Sequence, residues 1–542
     1  MIPPLSAPSQ AAHSQNPADV RFSPKVTELL RGSEMTRCAR TSREQPQQDL
    51  RLLDQLVSAG EQPWRQLQSE RLRGDPVHDE IELGRLFYGS DVAACSRASQ
   101  YRNSRTKGVR LITVEWGMPV EKIDTLVVGG GQAGIAMSEH LSVNGVPHLV
   151  LERNRVAERW RSARWDSLAM NGPAWHDRFP GLTFGDVDKS VRPDDFPLKD
   201  TVAYYLVAYA KKIAAPVRCG VEVLKVDRKV GQRGFRVETS TGAIEADRVV
   251  AATGAFQHPN VPAMVPAETG VLQMHSTAYR NPAQLPHGAV LIVGSGSSGT
   301  QIAEELFEVG RKVFLSVGPH ERPPRAYRGH DYCWWLGVLG KWDAAAREAG
   351  KEHVTIAVSG AHGGHTIDFR LLATKGITLL GRTEACSRGV MRFAPDLLQN
   401  LEKGDANFLS VLDEADAYVA RNGLELPEEP QARRTVPDAD CVKNPILSLD
   451  LAGAGIATII WATGFTTDYS WLNVDTFDEK GRPRHQRGVS AEPGIYFLGL
   501  PWQSRRGSSF IWGVWHDAKY LADQITIQRN YMAYHEAASR RR

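Results

Sequence analysis

Two glycine clusters carry the first chemistry in this chain. Gly129, Gly131 and Gly134 follow the spacing G-x-G-x-x-G in "LVVGGGQAGIAM", and Gly294, Gly296 and Gly299 repeat it in "LIVGSGSSGTQIA". In this spacing the first glycine permits a tight turn and the second lets a pyrophosphate approach the backbone. The third lets the following helix pack close to its strand. The bound phosphates then sit at the positive end of that helix. Gln132 and Ala133 open the first helix and Ser297 the second, so they are counted with the glycines as cofactor-binding residues. After the first cluster the next apolar run ends on Glu152. A carboxylate there can accept from both hydroxyls of an adenosine ribose. The matching position after Gly299 is Val317, and "LSVGPHERPPRAYRG" then supplies Arg322, Arg325 and Arg328. A missing acid with arginines nearby suits a ribose 2′-phosphate, with Arg322 and Arg325 as candidates to hold it. Two such devices in one chain imply two dinucleotides: a nicotinamide that delivers hydride, NADPH rather than NADH, and a flavin that receives it.

The elements that must position these residues are legible around them. "DTLVV", the helix pattern "GQAGIAMSEHLSVNG" and "HLVLE" form a β-α-β unit, and "AVLIVG", "SSGTQIAEELFEVG" and "KVFLSV" form a second. The expected fold is α/β, with two Rossmann-like dinucleotide-binding domains and the second inserted into the first. We expect the first domain over 118–285 and 386–542 and the second over 286–385. Residues 1–117 are rich in Arg, Ser, Gln and Pro and show little sustained apolar period. They read as a poorly ordered extension ahead of Met118.

Bulk composition narrows the class. The 542 residues include 65 basic and 62 acidic ones, for a net charge of +3. That balance gives no reason to expect nucleic acid as a partner. No apolar stretch is long enough to span a membrane, and the N-terminus lacks a secretory pattern. The six cysteines, Cys38, Cys95, Cys219, Cys333, Cys386 and Cys441, form no C-x-x-C or C-x₄-C pair. A metal site is therefore not expected, a disulfide reductase is disfavoured, and a cytoplasmic protein with reduced thiols is the expectation.

As a set, "GGGQAGIAMSEHL", "LERNRVAERWRSARWDSL", "ATGAFQHPNVP", "HSTAYRNP", "GSGSSGTQIA", "IIWATGF" and "GIYFLGLPW" resemble the flavin-containing monooxygenases. The likeness is strongest to their bacterial CzcO-type branch, which is related to the plant YUCCA enzymes. The resemblance implies FAD on the first unit and NADPH on the second. Reduced flavin would react with O₂ to a C4a-hydroperoxide that passes one oxygen atom to a small organic substrate, at an N or S centre or on an α-keto acid. It also implies that Trp160 and Arg161 run beside FAD and that Asn171 lies beside the flavin as the catalytic amide. Thr253, Gly254, Thr463 and Gly464 would line the nucleotide crevices on two linker strands, and Gly499 would make the closing FAD contact. His275 and Tyr279 keep the family's fingerprint spacing, but Gly270 stands one residue early. Arg280 follows where ketone-to-ester enzymes carry Trp-Pro, which argues against that chemistry. For His275 a structural hydrogen-bonding role is favoured over a general base. The aromatics of "HDYCWWLGVLGKW" and "FIWGVWHD" are either core or the wall of a substrate pocket. An NADPH-oxidising or regulatory flavoprotein without oxygen transfer is the alternative function, and a homodimer stands beside a monomer as an open option.

Overall fold

The structure, a computed structural model, describes residues 120–344 and 355–540. The expected extension over 1–117 lies outside the described residues.

Two sheets organise the chain. The first contains β1 (Glu121–Val128), β2 (His148–Glu152), β3 (Val217–Cys219), β4 (Val223–Arg228), β5 (Phe235–Thr239) and β6 (Gly242–Ala251), in the order β4-β5-β6-β1-β2-β3. β1 runs parallel to β2 and β6, with Leu126 opposite Leu149 and Val249. The helix α1 (Gln132–Val143) makes the crossover between β1 and β2. Side chains of β1 alternate between two dry faces. Val127 joins Val150 and Val250 under α1, while Leu126 joins Leu149, Val249 and Phe497 on the opposite face. A parallel sheet covered on both sides reads as a continuous apolar run for this reason, and each fully buried Leu or Val contributes about 1.5–3 kcal/mol. The C-terminal half of β6 also pairs in parallel with β12 (Ile495–Phe497). The last helix, α3 (Ile511–Arg540), lies against α1. Trp515 Nε1–H donates to Glu139 at 2.7 Å, and Asn144 Nδ2–H donates to Asp523 at 3.2 Å.

The second sheet is wholly parallel. It contains β7 (Leu272–His275), β8 (Ala289–Val293), β9 (Val313–Ser316), β10 (Thr378–Leu380) and β11 (Ile456–Trp461), in the order β10-β9-β8-β11-β7. α2 (Ser297–Glu308) crosses from β8 to β9 and buries Ile302, Ala303 and Leu306 on Val290, Ile292 and Ile460. β7 and β11 fall outside the expected 286–385 span. The long helix Leu397–Asn422 also sends Leu397 and Leu401 into this core. The second unit therefore draws on chain from both sides of the boundaries read from sequence. Short buried parallel strands look alike, and nothing local says which sheet a strand joins.

Candidate nucleotide sites and the crevice between them

The first turn is built by exclusion. Gly129 has φ +115°, and a Cβ there would meet the Ala252 carbonyl oxygen at 2.6 Å; one on Gly134 would meet the Gly129 oxygen at 1.9 Å. These two glycines are demanded by backbone packed on backbone. Gly131 differs, because a Cβ there meets nothing within 4 Å. It begins α1 without any side-chain cap, and the first backbone bond of the helix is Ile135 N–H to the Gly131 oxygen. The N–H groups of Gln132, Ala133 and Gly134 thus have no partner among the described residues. An open approach over uncapped donors at a helix N-terminus fits a pyrophosphate.

Glu152, at the end of β2, stands beside this turn. Its carboxylate accepts from Gly130 N–H at 2.7 Å and from Asn154 N–H at 2.9 Å. Trp160 Nε1–H donates to Gln132 Oε1 at 3.3 Å, and Gln132 Nε2–H donates to the Ser509 oxygen at 2.9 Å. The loop ahead of α3 is thereby tied to the first turn. Gly499, at φ +86°, completes the wall, since a Cβ would lie 3.1 Å from Ala133 Cβ. Arg161 stacks on Tyr204 at 5.2 Å.

The second turn repeats the construction with one difference. Gly294, at φ +111°, abuts the Ala462 oxygen, and Gly299 abuts the Gly294 oxygen. Here, however, the Ile356 oxygen accepts from both the N–H and the Oγ–H of Ser297, each at 3.0 Å. A Cβ on Gly296 would meet Thr355 Cγ2 at 3.3 Å. Ser298 and Gly299 keep the N–H groups without a partner among the described residues. They fit a pyrophosphate over a narrower approach than at the first turn.

Arg322 and Arg325, expected to grip a 2′-phosphate, are both buried and engaged by protein partners. Arg322 is buried, donates to Asp405 at 2.7 and 3.0 Å and lies over Phe408. Arg325 is buried, pairs with Asp331 at 2.7 Å and donates from Nη1 to the Asn171 oxygen at 2.5 Å. Arg328 is taken by Asp416. A buried guanidinium stays charged and is costly without such partners; Asp405 and Asp416 lie far along the chain from the arginines they hold.

Asn171 is exposed and sits where three segments of the second unit converge. Gln301 of α2 donates to its Oδ1 at 3.2 Å, Arg325 holds its backbone oxygen, and the Ser359–His365 loop packs against its neighbours. A Cβ on Gly360 would lie 1.8 Å from the Met170 oxygen. Gln301 lies within the "GSGSSGTQIA" stretch but the spacing gives it no role of its own there, and the glycine loop carries no motif.

The two linkers cross-brace one another. Gln257 Nε2–H donates to Thr253 Oγ1 and to the Gly254 oxygen, both at 2.9 Å. Asn260 donates from its backbone N–H to the Gly464 oxygen at 3.0 Å and accepts from Thr463 Oγ1–H at its own carbonyl. His275 is buried and has both ring nitrogens engaged. Nδ1 accepts from Thr277 N–H at 3.2 Å, which leaves Nε2 to donate to the Gly464 oxygen at 3.0 Å. Burial, and then the nearby Arg164 and Arg159, hold its pKa below the ordinary value, so the ring is a neutral brace. Tyr279 donates to Glu305 of α2 at 2.6 Å.

The two aromatic runs split. Trp335 is core against Tyr327 and Phe408. Trp342 meets Trp512 at 5.0 Å and Phe510 at 5.8 Å, with His176 stacked on Trp342. Among the described residues, Cys219, Cys333, Cys386 and Cys441 are free thiols, and no helix is long and apolar enough to cross a membrane.

Residues 126–331 match the family model described as pyridine nucleotide-disulphide oxidoreductase. An uncharacterized CzcO-like oxidoreductase of Geobacillus kaustophilus is 33% identical over 74% of this chain and 98% of its own length. A probable indole-3-pyruvate monooxygenase of Arabidopsis thaliana, YUCCA4, is 25% identical over 74% of this chain and 90% of its own. Among solved structures, a flavin-containing monooxygenase from Stenotrophomonas maltophilia shares the fold, with a TM-score of 0.51 at 21% identity over 76% of this chain and 99% of that one. With two glycine-turn units and this likeness together, the chain belongs to the CzcO-like oxidoreductases, a branch of the FAD- and NADPH-dependent flavoproteins of the flavin-monooxygenase type.

Proposed function

We propose that the protein is an NADPH-dependent flavin monooxygenase that transfers one oxygen atom from O₂ to a small organic substrate, at a nucleophilic N or S centre or on an α-keto acid. The observation that carries this reading is the exposed Asn171 carboxamide held by Gln301, a residue of the helix that opens at the second glycine turn. FAD belongs on the first turn and the nicotinamide dinucleotide on the second; when bound, they supply hydride transfer and the activation of O₂. The N–H groups of Gln132, Ala133 and Gly134 take the FAD pyrophosphate, and Glu152 takes the ribose hydroxyls. Ser298 and Gly299 offer the matching donors on the second turn. The Asn171 carboxamide supplies a hydrogen-bond donor at the reacting centre. The cross-brace of Gln257, Asn260 and the buried His275 keeps the linkers in register, and the half-buried Trp342 and Trp512, with the more exposed Phe510, form an apolar wall.

The test is stopped-flow absorbance. Protein reduced with NADPH is mixed with O₂ and the flavin followed between roughly 350 and 500 nm. A lasting oxygen-dependent band, distinct from oxidised and reduced flavin, supports the monooxygenase; candidate amines, thioethers and keto acids are then screened for those that speed its decay. Direct return to oxidised flavin with peroxide release supports the alternative, an NADPH-oxidising or regulatory flavoprotein.

A further inference from the structure

The orientation of an amide side chain follows from its partners, because oxygen and nitrogen ends look alike but bond differently. Near Asn171 one partner cannot be flipped. The backbone oxygen of Ala169 only accepts, and Gln301 Nε2 reaches it at 3.3 Å. That contact turns the NH₂ end of Gln301 toward this loop. The same nitrogen reaches Asn171 Oδ1 at 3.2 Å, so Asn171 must present its oxygen to Gln301. Its own NH₂ is then left without a partner among the described residues, and Asn171 itself is exposed. Arg325, anchored by Asp331, fixes the backbone oxygen of the same residue, so Asn171 is held at its main chain as well as at its side-chain oxygen. Gln301 is 4% exposed, and its Oε1 has no hydrogen-bond partner. An orphaned buried oxygen costs stability, which marks the glutamine as kept for its donor end.

We propose that Gln301 is a positioning residue that sets the donor polarity of Asn171, committing its NH₂ group to the reacting centre. The proposal rests on the reading above that Asn171 acts beside the flavin. Gln301 lies on the helix that begins at the second glycine turn, so the nicotinamide-binding unit controls a donor that belongs to the flavin-binding unit. Arg325, expected to grip a phosphate, instead holds the backbone of the same asparagine.

Gln301→Met keeps the length of the side chain and removes the donor. Gln301→Glu at pH 8.5 replaces the donor by an acceptor facing two oxygens. FAD content, read from the visible spectrum, and Tm report the fold of each variant. The decisive readout is the lifetime of the oxygen-dependent absorbance band in the holoenzyme, compared with Asn171→Ala and the double variant. Both Gln301 variants are expected to shorten that lifetime tenfold or more with FAD content retained. Gln301→Met in the Asn171→Ala background is expected to add less than twofold, because its effect runs through the asparagine. Equal lifetimes in wild type and Gln301→Met, or multiplicative losses in the double variant, overturn the positioning role alone. A wild-type holoenzyme with no such band overturns the monooxygenase reading and this inference together. If Gln301→Met loses FAD or melts early, Gln301→Glu is read in its place by the same criteria.

Discussion

Two glycines of the first turn, three residues apart, make opposite demands, and substituting each by alanine separates folding from binding. At Gly131 a Cβ meets nothing within 4 Å, and φ is −85°, which alanine adopts freely. Apoprotein stability should fall by about 1 kcal/mol or less, the scale of replacing a good N-cap residue by alanine. The new methyl group nevertheless occupies the approach to the open N–H groups of Gln132, Ala133 and Gly134. Weakening one or two charge-assisted hydrogen bonds costs about 3 kcal/mol, close to a hundredfold in Kd. At Gly134 alanine gains about 1 kcal/mol of helix propensity. Its Cβ, however, would lie 1.9 Å from the Gly129 oxygen, so α1 must move off the strand by more than an ångström. Overpacking of that kind costs about 1–3 kcal/mol, and the displaced donors weaken FAD binding as well. Urea melts of the apoproteins and titration of each with FAD, followed by quenching of flavin fluorescence, measure both quantities. If Gly131→Ala binds FAD within twofold of wild type, or if the two variants lose stability equally, the assignment of the first turn to a pyrophosphate is wrong.

Other outcomes follow from the same geometry. Arg322→Ala leaves Asp405 short of a buried partner and should lower stability by about 3 kcal/mol, while the ratio of KM for NADPH to that for NADH stays within twofold; a selective loss for NADPH would restore the phosphate role. Glu152→Ala removes the acceptor for Gly130 N–H and for the ribose, and should weaken FAD binding by roughly tenfold to a hundredfold in the same titration. His140, His148, His275 and His320 all have pKa values held below the ordinary 6.5 by burial. A depressed folded-state pKa means that the unfolded chain takes up protons first. Stability should therefore be complete above about pH 6.5 and fall as pH drops toward the folded-state values, with His365, raised by its hydrogen bond to Glu304, working in the opposite sense. Urea midpoints between pH 5 and 8 check the sign, and a midpoint that rises on acidification would refute it.

Much of this architecture was legible in local pattern. A glycine turn between an apolar run and a helix occupies about a dozen residues, and its spacing shows in sequence even though Gly129 and Gly294 are crowded by the distant Ala252 and Ala462. Glu152 was legible too, as it ends the next strand of the same β-α-β unit. The arginines were harder to read because an arginine's role depends on its partner. Asp405 lies in a helix far down the chain from Arg322, and Asp331 competes with any ligand for Arg325. Gln301 stayed silent because its partner, Asn171, belongs to the other unit. The second sheet reaches beyond 286–385 because β11, IATIIW, has the same apolar signature as strands of the first sheet, while β7, LQMH, is an edge strand with no apolar run to mark it.

The second sheet also constrains the order in which the chain can be assembled. β1 to β6 come from one continuous stretch, so most of the first sheet can form while synthesis continues. In the second, Val290 of β8 pairs on one side with Val313, soon after it, and on the other with Thr458. Until Ile456–Trp461 has emerged, β8 has an apolar edge with no neighbour, a template for pairing with other chains. Truncations ending before that strand should therefore aggregate rather than yield an intact second sheet, and the late strand acts as the closing piece of nascent-chain folding.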